Sequence, residues 1–424
     1  MTSRTLQFDG VEYPDGAASD PVALGWMRGA PPPADKRIRF EDDRFLQFPR
    51  LRWTLSHMRE LVPTANVWRG CRAPSTLDAA NPSIETEIDA SGFTDLNGAR
   101  RTWSASLEDT YTDGIVVLHR GRRVYERYFG ALQPQRQHAC FSITKSFAAT
   151  LAAGLLHEGA LDASRCVPFY LPEMADTAYG DATLRQLLDM QVGVAYSEEY
   201  ADPHAEIWAY ARAGGLRPRD PGRHGPANYY EFLATLRKQG EHGRSFEYKT
   251  VNTEVLCWIM KRVSGIGLAD LLSQRLWSPL ACEEDAYFSV DSIGVEMGGG
   301  GLNACLRDLA RFGELLRREG DWQGVQLLPA AVVAELCTGS APTKVPAAQY
   351  PLLPGYSYRN MWWIANDELG TIEARGIHGQ RLFIAPRAEV VIARFASHPV
   401  ATSAANDPVT LPAFRALARM LSRG

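Results

Sequence analysis

Lysine is scarce in this sequence. Arginine supplies most of the 45 basic residues, and the only lysines are Lys36, Lys145, Lys238, Lys249, Lys261 and Lys344. With a formal net charge of −4 and no Lys/Arg cluster along a face, the chain lacks the footprint of a nucleic-acid or membrane-surface binder. Long apolar runs are also missing: none reaches the roughly 18 uncharged residues that a membrane helix needs. The opening segment, MTSRTLQFDGVEYPDGAASD, has no apolar core of signal-peptide length, so a cytoplasmic location is expected. The cysteines (Cys71, Cys140, Cys166, Cys257, Cys282, Cys305 and Cys337) are scattered and odd in number. None forms a C-x-x-C pair, which argues against a disulfide framework or a zinc site, and no metal or other cofactor is expected. Other catalytic signatures are absent. There is no H-E-x-x-H and no phosphate-binding glycine loop, and Gly355-Tyr356-Ser357-Tyr358-Arg359 fails the G-x-S-x-G elbow at its last position.

What is present is an ordinary globular composition, 45% hydrophobic and 22% charged, in a chain of 424 residues. That length exceeds the size at which one core stops growing, so one large or two medium domains are expected. Residues 1 to about 75 read as an ordered arm with one helical stretch around FLQFPRLRWTLSHMREL. GIVVLHRGRRVYERYFG alternates around Arg120-Gly121-Arg122 and predicts a β-hairpin. LDASRCVPFYLPEM reads as a loop, TLRQLLDM as a short helix, and residues 193 to 245 as irregular except for the helical YYEFLATLRKQ. NTEVLCWIMKRVSG predicts a helix capped at Gly265, LNACLRDLARFGELLRREG an amphipathic helix, RLFIAP and EVVIARFAS two strands, and the tail a helix from about Leu411. Strands near both ends with helices between them predict an α/β (α+β) fold: an antiparallel sheet built from residues 1–165 and 283–424, with a mainly helical insertion at 166–282.

The chemistry begins in HACFSITKSFAATLAAGLLHEGAL, where Ser142 stands three residues before Lys145 at the head of a helix. Residues i and i+3 share a helix face, so the lysine can reach the serine hydroxyl and act as the base that a serine nucleophile requires. It can do so only if burial or a nearby cation lowers its proton affinity. Six lysines give such a pair by chance about one time in three, so the pair needs partners. Tyr248 in SFEYKTVNTEVLCWI is either a core tyrosine or a proton relay, with Asn252 at a plausible helix N-cap. Gly376-Ile377-His378-Gly379 is either an incidental strand edge or a strand that a ligand approaches closely, and Gly298–Gly301 is either a flexible loop or a third partner.

Together these pieces resemble the serine β-lactamase and penicillin-recognising family: an S-x-x-K helix, a downstream tyrosine and a glycine-bearing motif near the end. TLRQLLDMQVG and GGGGLNACLRDLARFG are similar to two further segments of that family. Ile377-His378-Gly379 stands where penicillin-recognising members carry Lys-Thr-Gly, and Tyr248 and Asn252 are spaced more widely than their Tyr-x-Asn. Both departures point to the esterase and amidase members. YPDGAASDP, LVPTANV, SITKS, LLDMQVGVAYSEEYADP, MWWIANDE and IHGQRLFIAPR resemble the nylon-oligomer hydrolases among them.

The resemblance implies a β-lactamase-like fold and a serine hydrolase that cleaves short esters and linear amides of the 6-aminohexanoate-oligomer type. Ser142 would be its nucleophile, with Lys145 and Tyr248 as the acid/base pair. It further implies an oxyanion hole from the N–H groups of Ser142 and Ile377, with Tyr200 on a loop closing over the substrate. His378 would shape the pocket, and Ala211 would stand where efficient amide-cleaving relatives place a carboxylate for the substrate's amino group. Asp202 and Glu206 lie nearby but out of register. The alternative is a D-amino-acid peptidase or a penicillin-binding or β-lactamase-type enzyme. The expected partner is a small ester or amide, with no nucleic acid and no membrane, and with a homodimer left open beside a monomer.

Overall fold

The alternating stretch after Tyr111 forms the expected hairpin. β1 (Thr112–His119) and β2 (Arg122–Tyr128) pair antiparallel across Arg120-Gly121, whose φ angles are 52° and 76°. Positive φ at both central residues gives the turn whose twist matches the flanking strands, and glycine adopts it without a steric penalty. The computed structural model describes residues 5–219, 222, 225–339 and 345–423. Residues 220, 221, 223 and 224, within the stretch read as irregular, lie outside the described residues.

The C-terminal part of the chain supplies five strands: β3 (Ser357–Arg359), β4 (Trp362–Ile364), β5 (Ile372–Gly376), β6 (Gln380–Ala385) and β7 (Val390–Ala396). With the hairpin they form one antiparallel sheet in the order β3-β4-β5-β6-β7-β1-β2. Val390 on β7 lies opposite His119 on β1, so the sheet joins distant parts of the chain. Both faces are covered. Along β1, Ile115 and Val117 enter one buried cluster while Val116 and Leu118 enter the other, as the two-residue strand period requires. This double burial explains why GIVVL reads as a continuous apolar run.

Six helices matter for the site: α1 (Ile143–His157), α2 (Leu184–Leu188), α3 (Glu206–Ala213), α4 (Val251–Ser264), α5 (Leu306–Arg317) and α6 (Asp407–Leu421). α6 places Phe414 and Leu417 against Ile115, Val117 and Ile392 on one face of the sheet. α5 lies on the other face. A Cβ at its Gly313 would fall 2.6 Å from Val391 Cγ1, so glycine permits the close approach. α2 starts with a reciprocal capping box between Thr183 and Gln186, which satisfies two otherwise orphaned backbone N–H groups.

Several expectations need correction. α3 is an additional helix within the stretch read as irregular, and Val167–Tyr170 makes a helical turn inside the segment read as a loop. The last helix begins at Asp407 rather than near Leu411. Asn252 is not a cap: α4 already starts at Val251, and the Asn252 carboxamide oxygen accepts a hydrogen bond from the Tyr179 hydroxyl at 3.1 Å. The glycine-bearing motif is only partly a strand. β5 ends at Gly376, and Ile377–Gly379 forms a tight turn in which His378 has φ 60°.

The N-terminal arm does more than cover the surface. Phe45, Leu51, Trp53, Leu55 and Met58 bury themselves against Ala139 and Tyr287, forming a small core of their own. The Leu55 carbonyl accepts the Ala139 N–H at 2.8 Å, which anchors the strand leading to Ser142.

Candidate active site

Ser142 is placed by a strand that stops abruptly. His138–Ala139 pairs with Asn303 and Ala304 in a second, four-stranded sheet, and the Cys140 N–H extends the pairing to the Leu302 carbonyl at 2.9 Å. Phe141 then turns left-handed at φ 44°, a conformation that costs a non-glycine residue about 1–3 kcal/mol and must be held by its surroundings. Thr144 provides part of that hold. Its hydroxyl donates to the Phe141 carbonyl at 2.6 Å and accepts the Leu302 N–H at 3.2 Å. The turn leaves Ser142 as the N-cap of α1, at the positive end of the helix dipole, which favours negative charge.

One turn into α1, Lys145 is 1% exposed and its Nζ lies 2.9 Å from Ser142 Oγ. The same Nζ donates to the Gly299 carbonyl at 2.6 Å. Burial disfavours the ammonium and pulls the lysine pKa down to about 8, against the opposing attraction of Glu198 and Glu254. Near neutrality a usable fraction is therefore free amine. With one N–H committed to Gly299, its lone pair can face the serine hydroxyl.

Tyr248 lines the same cavity as Ser142, close enough for the serine hydroxyl to act on its phenol. Burial drives its pKa upward and the negative charge of Glu198 reinforces the rise, so this side chain is a neutral phenol and a proton donor. The phenol on Tyr248 thus keeps its proton while Lys145 can give its own up. The phenol ring packs 5.9 Å from Trp363 and 6.0 Å from Tyr358, and Lys145 Nζ sits 5.1 Å from its centroid.

The run Gly298–Gly301 is a site of close approach, not a flexible loop. A Cβ at Gly298 would fall 2.2 Å from Cys257 Sγ, and one at Gly299 would fall 2.3 Å from Thr250 Cγ2. Both contacts are with α4 or its cap, so the missing side chains let the Gly299 carbonyl reach Lys145.

Ser142 opens into a cavity of about 650 Å³, lined in part by Tyr200, Tyr248, Tyr350, Trp363, Gly376 and Ile377. A Cβ on Gly376 would lie 2.6 Å from the Cys140 carbonyl. This glycine therefore lets the end of β5 run beside the segment that carries Ser142, with Ile377 next along the cavity wall. A nucleophile, a buried amine, a phenol and an adjoining cavity can perform acyl transfer.

The β-lactamase family model matches residues 105–411, which include every one of these groups. The chain belongs to the β-lactamase family. It is 33% identical over 400 residues to the 6-aminohexanoate-dimer hydrolase of Paenarthrobacter ureafaciens, with 94% of each chain covered. Among solved structures, a Bacillus anthracis protein assigned as a 6-aminohexanoate-dimer hydrolase superposes with a TM-score of 0.81 at 31% identity. That match covers 91% of this chain and 97% of the other. A family VIII carboxylesterase shares the fold at a TM-score of 0.56 and 17% identity, covering 81% of this chain and 99% of its own. As a member of this family the protein is a serine hydrolase.

Within this hydrolase, Ser142, Lys145 and Tyr248 converge, and Ile377 and Tyr200 border the same cavity. His378 and Ala211 are not among the cavity-lining residues. The His378 ring hydrogen-bonds the His398 carbonyl through Nδ1 at 2.7 Å, and burial lowers its pKa to about 4, so it is a neutral imidazole. Ala211 is buried within α3. Asp202 turns back on the His204 N–H at 2.8 Å, and Glu206 accepts the Ser197 N–H at 2.9 Å.

Three charged residues escaped the sequence reading. Glu198 lines the cavity with its Oε1 buried and unpartnered, while Oε2 accepts the Thr250 N–H at 3.1 Å. It stands two residues before Tyr200 on the loop expected to meet the substrate, which was the available signal. Arg375, on the cavity wall at the end of β5, pairs with Asp407. Glu254 lies behind Lys145 on α4 and left no signal in the sequence. Among the described residues, no group of three or more His, Cys, Asp or Glu could hold a metal ion, and no helix is long and apolar enough to cross a membrane.

Proposed function

We propose that this hydrolase cleaves short esters and linear amides through an acyl-enzyme on Ser142, with 6-aminohexanoate oligomers, named for its relatives, as one amide class. One observation carries the reading: a buried lysine 2.9 Å from the serine hydroxyl, with a neutral tyrosine phenol on the wall of the same cavity. Lys145 takes the Ser142 proton as Oγ bonds to the substrate carbonyl carbon. The carbonyl oxygen becomes an oxyanion facing the backbone N–H groups of Ser142 and Ile377. As the tetrahedral centre collapses, the bond to the leaving oxygen or nitrogen breaks. The Tyr248 phenol protonates that atom and recovers a proton from Lys145. Water then attacks the acyl-enzyme by the same route in reverse roles and regenerates free Ser142.

Esters need the least help, because an alkoxide leaves more readily than an amide nitrogen. A linear amide bearing a free amino group gains a counter-charge only from a carboxylate that faces the cavity. Glu198 offers one; the geometry gives none at 211.

The test is a panel of p-nitrophenyl acyl esters, linear amides including 6-aminohexanoate dimer, and a chromogenic cephalosporin, run on wild type and Ser142→Ala. Esters should turn over fastest, and a fluorophosphonate should label Ser142 alone. Ser142→Ala should lose several orders of magnitude in kcat/KM, since only binding and oxyanion effects remain. Retention of near wild-type turnover by Ser142→Ala would overturn the reading. Faster opening of the cephalosporin than of the esters would favour the penicillin-recognising alternative.

A further inference from the structure

The mechanism above leaves Glu254 unused, although its buried carboxylate acts on the same glycine that holds Lys145. Its Oε1 accepts the Gly299 N–H at 2.7 Å and the Tyr210 hydroxyl at 2.5 Å, and its Oε2 accepts the Gly298 N–H at 3.0 Å. On the far side of that glycine, the Gly299 carbonyl accepts from Lys145 Nζ at 2.6 Å. We propose that Glu254 is a positioning residue, clamping the Gly298–Gly299 backbone so that the Gly299 carbonyl keeps the Lys145 nitrogen aligned on Ser142. The inference rests on the reading of Lys145 as the base.

The physical need is plain. Two adjacent glycines have the freest backbone in the chain, and a lysine stem has four rotatable carbons. Neither fixes the other. A carboxylate that takes both glycine N–H groups fixes the two peptide planes that lead into Gly299, and so anchors the Cα from which its carbonyl reaches the amine. A buried acceptor with three donors is otherwise an expensive feature to maintain.

The arrangement also links α3 to the base. Tyr210 stands on α3, Glu254 on α4, and Gly299 ahead of α5, so three elements meet at one carboxylate. Lys145 is the cation facing it, and Cys257 and the phenols of Tyr210 and Tyr229 are its close titratable neighbours. Tyr179, Tyr196 and Tyr230 also feel its charge. Burial lifts the Glu254 pKa to about 7, so the carboxylate is ionised in the range where Lys145 begins to lose its proton. An ionised Glu254 favours the ammonium, and its loss must lower the proton affinity of Lys145.

The experiment measures kcat, KM and fluorophosphonate labelling rate against pH for wild type, Glu254→Gln, Glu254→Asp and Tyr210→Phe, with thermal midpoints as a check on folding. Glu254→Gln places an amide N–H against a glycine N–H and removes the charge. It should lower kcat and labelling at least about tenfold with KM nearly unchanged, and move the acid limb of the profile to lower pH. Glu254→Asp should recover part of the rate, and Tyr210→Phe should shift the limb the same way by less. A folded Glu254→Gln with wild-type labelling and an unmoved limb overturns the proposal. If that variant does not fold, a wild-type profile in Tyr210→Phe overturns it instead. Substantial turnover in Lys145→Ala would bring down the reading of the base, a separate outcome from a silent Glu254.

Discussion

Lys145 hydrogen-bonds Ser142 and Tyr248 borders the same cavity, and burial pushes their proton affinities apart: the amine down to about 8, the phenol up. A base must be unprotonated to accept, so kcat/KM should climb about tenfold per pH unit below 8 and level off above it. The climb belongs to Lys145, whose ammonium is lost as pH rises through 8. His378 is already neutral above about pH 4, so His378→Ala should leave the limb in place and cost far less activity than Tyr248→Phe. A limb displaced in His378→Ala would show that this imidazole exchanges the proton. Ser142 and Lys145 were legible in sequence because i and i+3 meet on any helix. Glu254 was not, because it acts through groups far along the chain and no local pattern marks a carboxylate for burial, while Glu198 had only its place beside Tyr200 to mark it.

At the scale of elements, the glycine run shows how uneven four identical letters can be. A Cβ at Gly299 would meet Thr250 Cγ2 at 2.3 Å and Glu254 Oε1 at 2.9 Å, whereas one at Gly300 would press only on the flexible tip of Met297, at 3.2 Å. Gly299→Ala should therefore displace the carbonyl that Lys145 uses and cost at least about a hundredfold in kcat. Gly300→Ala should stay within a few-fold of wild type, because an unbranched thioether can move aside. Equal kinetics for the two variants would refute this account of the run. Elements with a strong periodic signal, such as α1, α4, α5 and the β1–β2 hairpin, could be read from sequence. β3, β4 and β5 could not: they are 3, 3 and 5 residues long, and β5 buries Glu373 and Arg375 where alternation calls for apolar side chains. α3 was hidden among turn-forming residues, and its identity as a helix depends on Ile207 and Tyr210 finding a core supplied by other segments.

Across the whole molecule, buried charge gathers where β5, β6 and α6 meet. Arg381 is fully buried between Glu373 and Asp407, with both contacts at 2.6 Å, and Arg375 shares Asp407. Glu373 also accepts the Tyr356 hydroxyl at 2.6 Å. Its pKa is lowered because Arg381 and Arg375 outweigh burial, so its contribution is present above the unfolded carboxylate range and fades as pH falls through the folded value. Glu373→Gln keeps the shape and removes the charge. It should destabilise the fold by about 3–5 kcal/mol at pH 7, since it leaves a buried guanidinium under-compensated. Calorimetry at pH 7 and again near pH 4 measures this. A loss that does not shrink toward low pH would assign the effect to packing instead.

The antiparallel union of β7 with β1 also sets the order of events during synthesis. A ribosome releases Ser142 and Lys145 early, but the sheet that backs their helix lacks β7 until residues 390–396 emerge. The nascent chain must carry its S-x-x-K helix without a complete floor for most of translation, and contacts of such long sequence separation form slowly. Reactivity of Ser142 is thus a late, post-translational property: stalled chains that end before β7 should translate normally yet resist fluorophosphonate, and labelling should appear only once the last strands have docked.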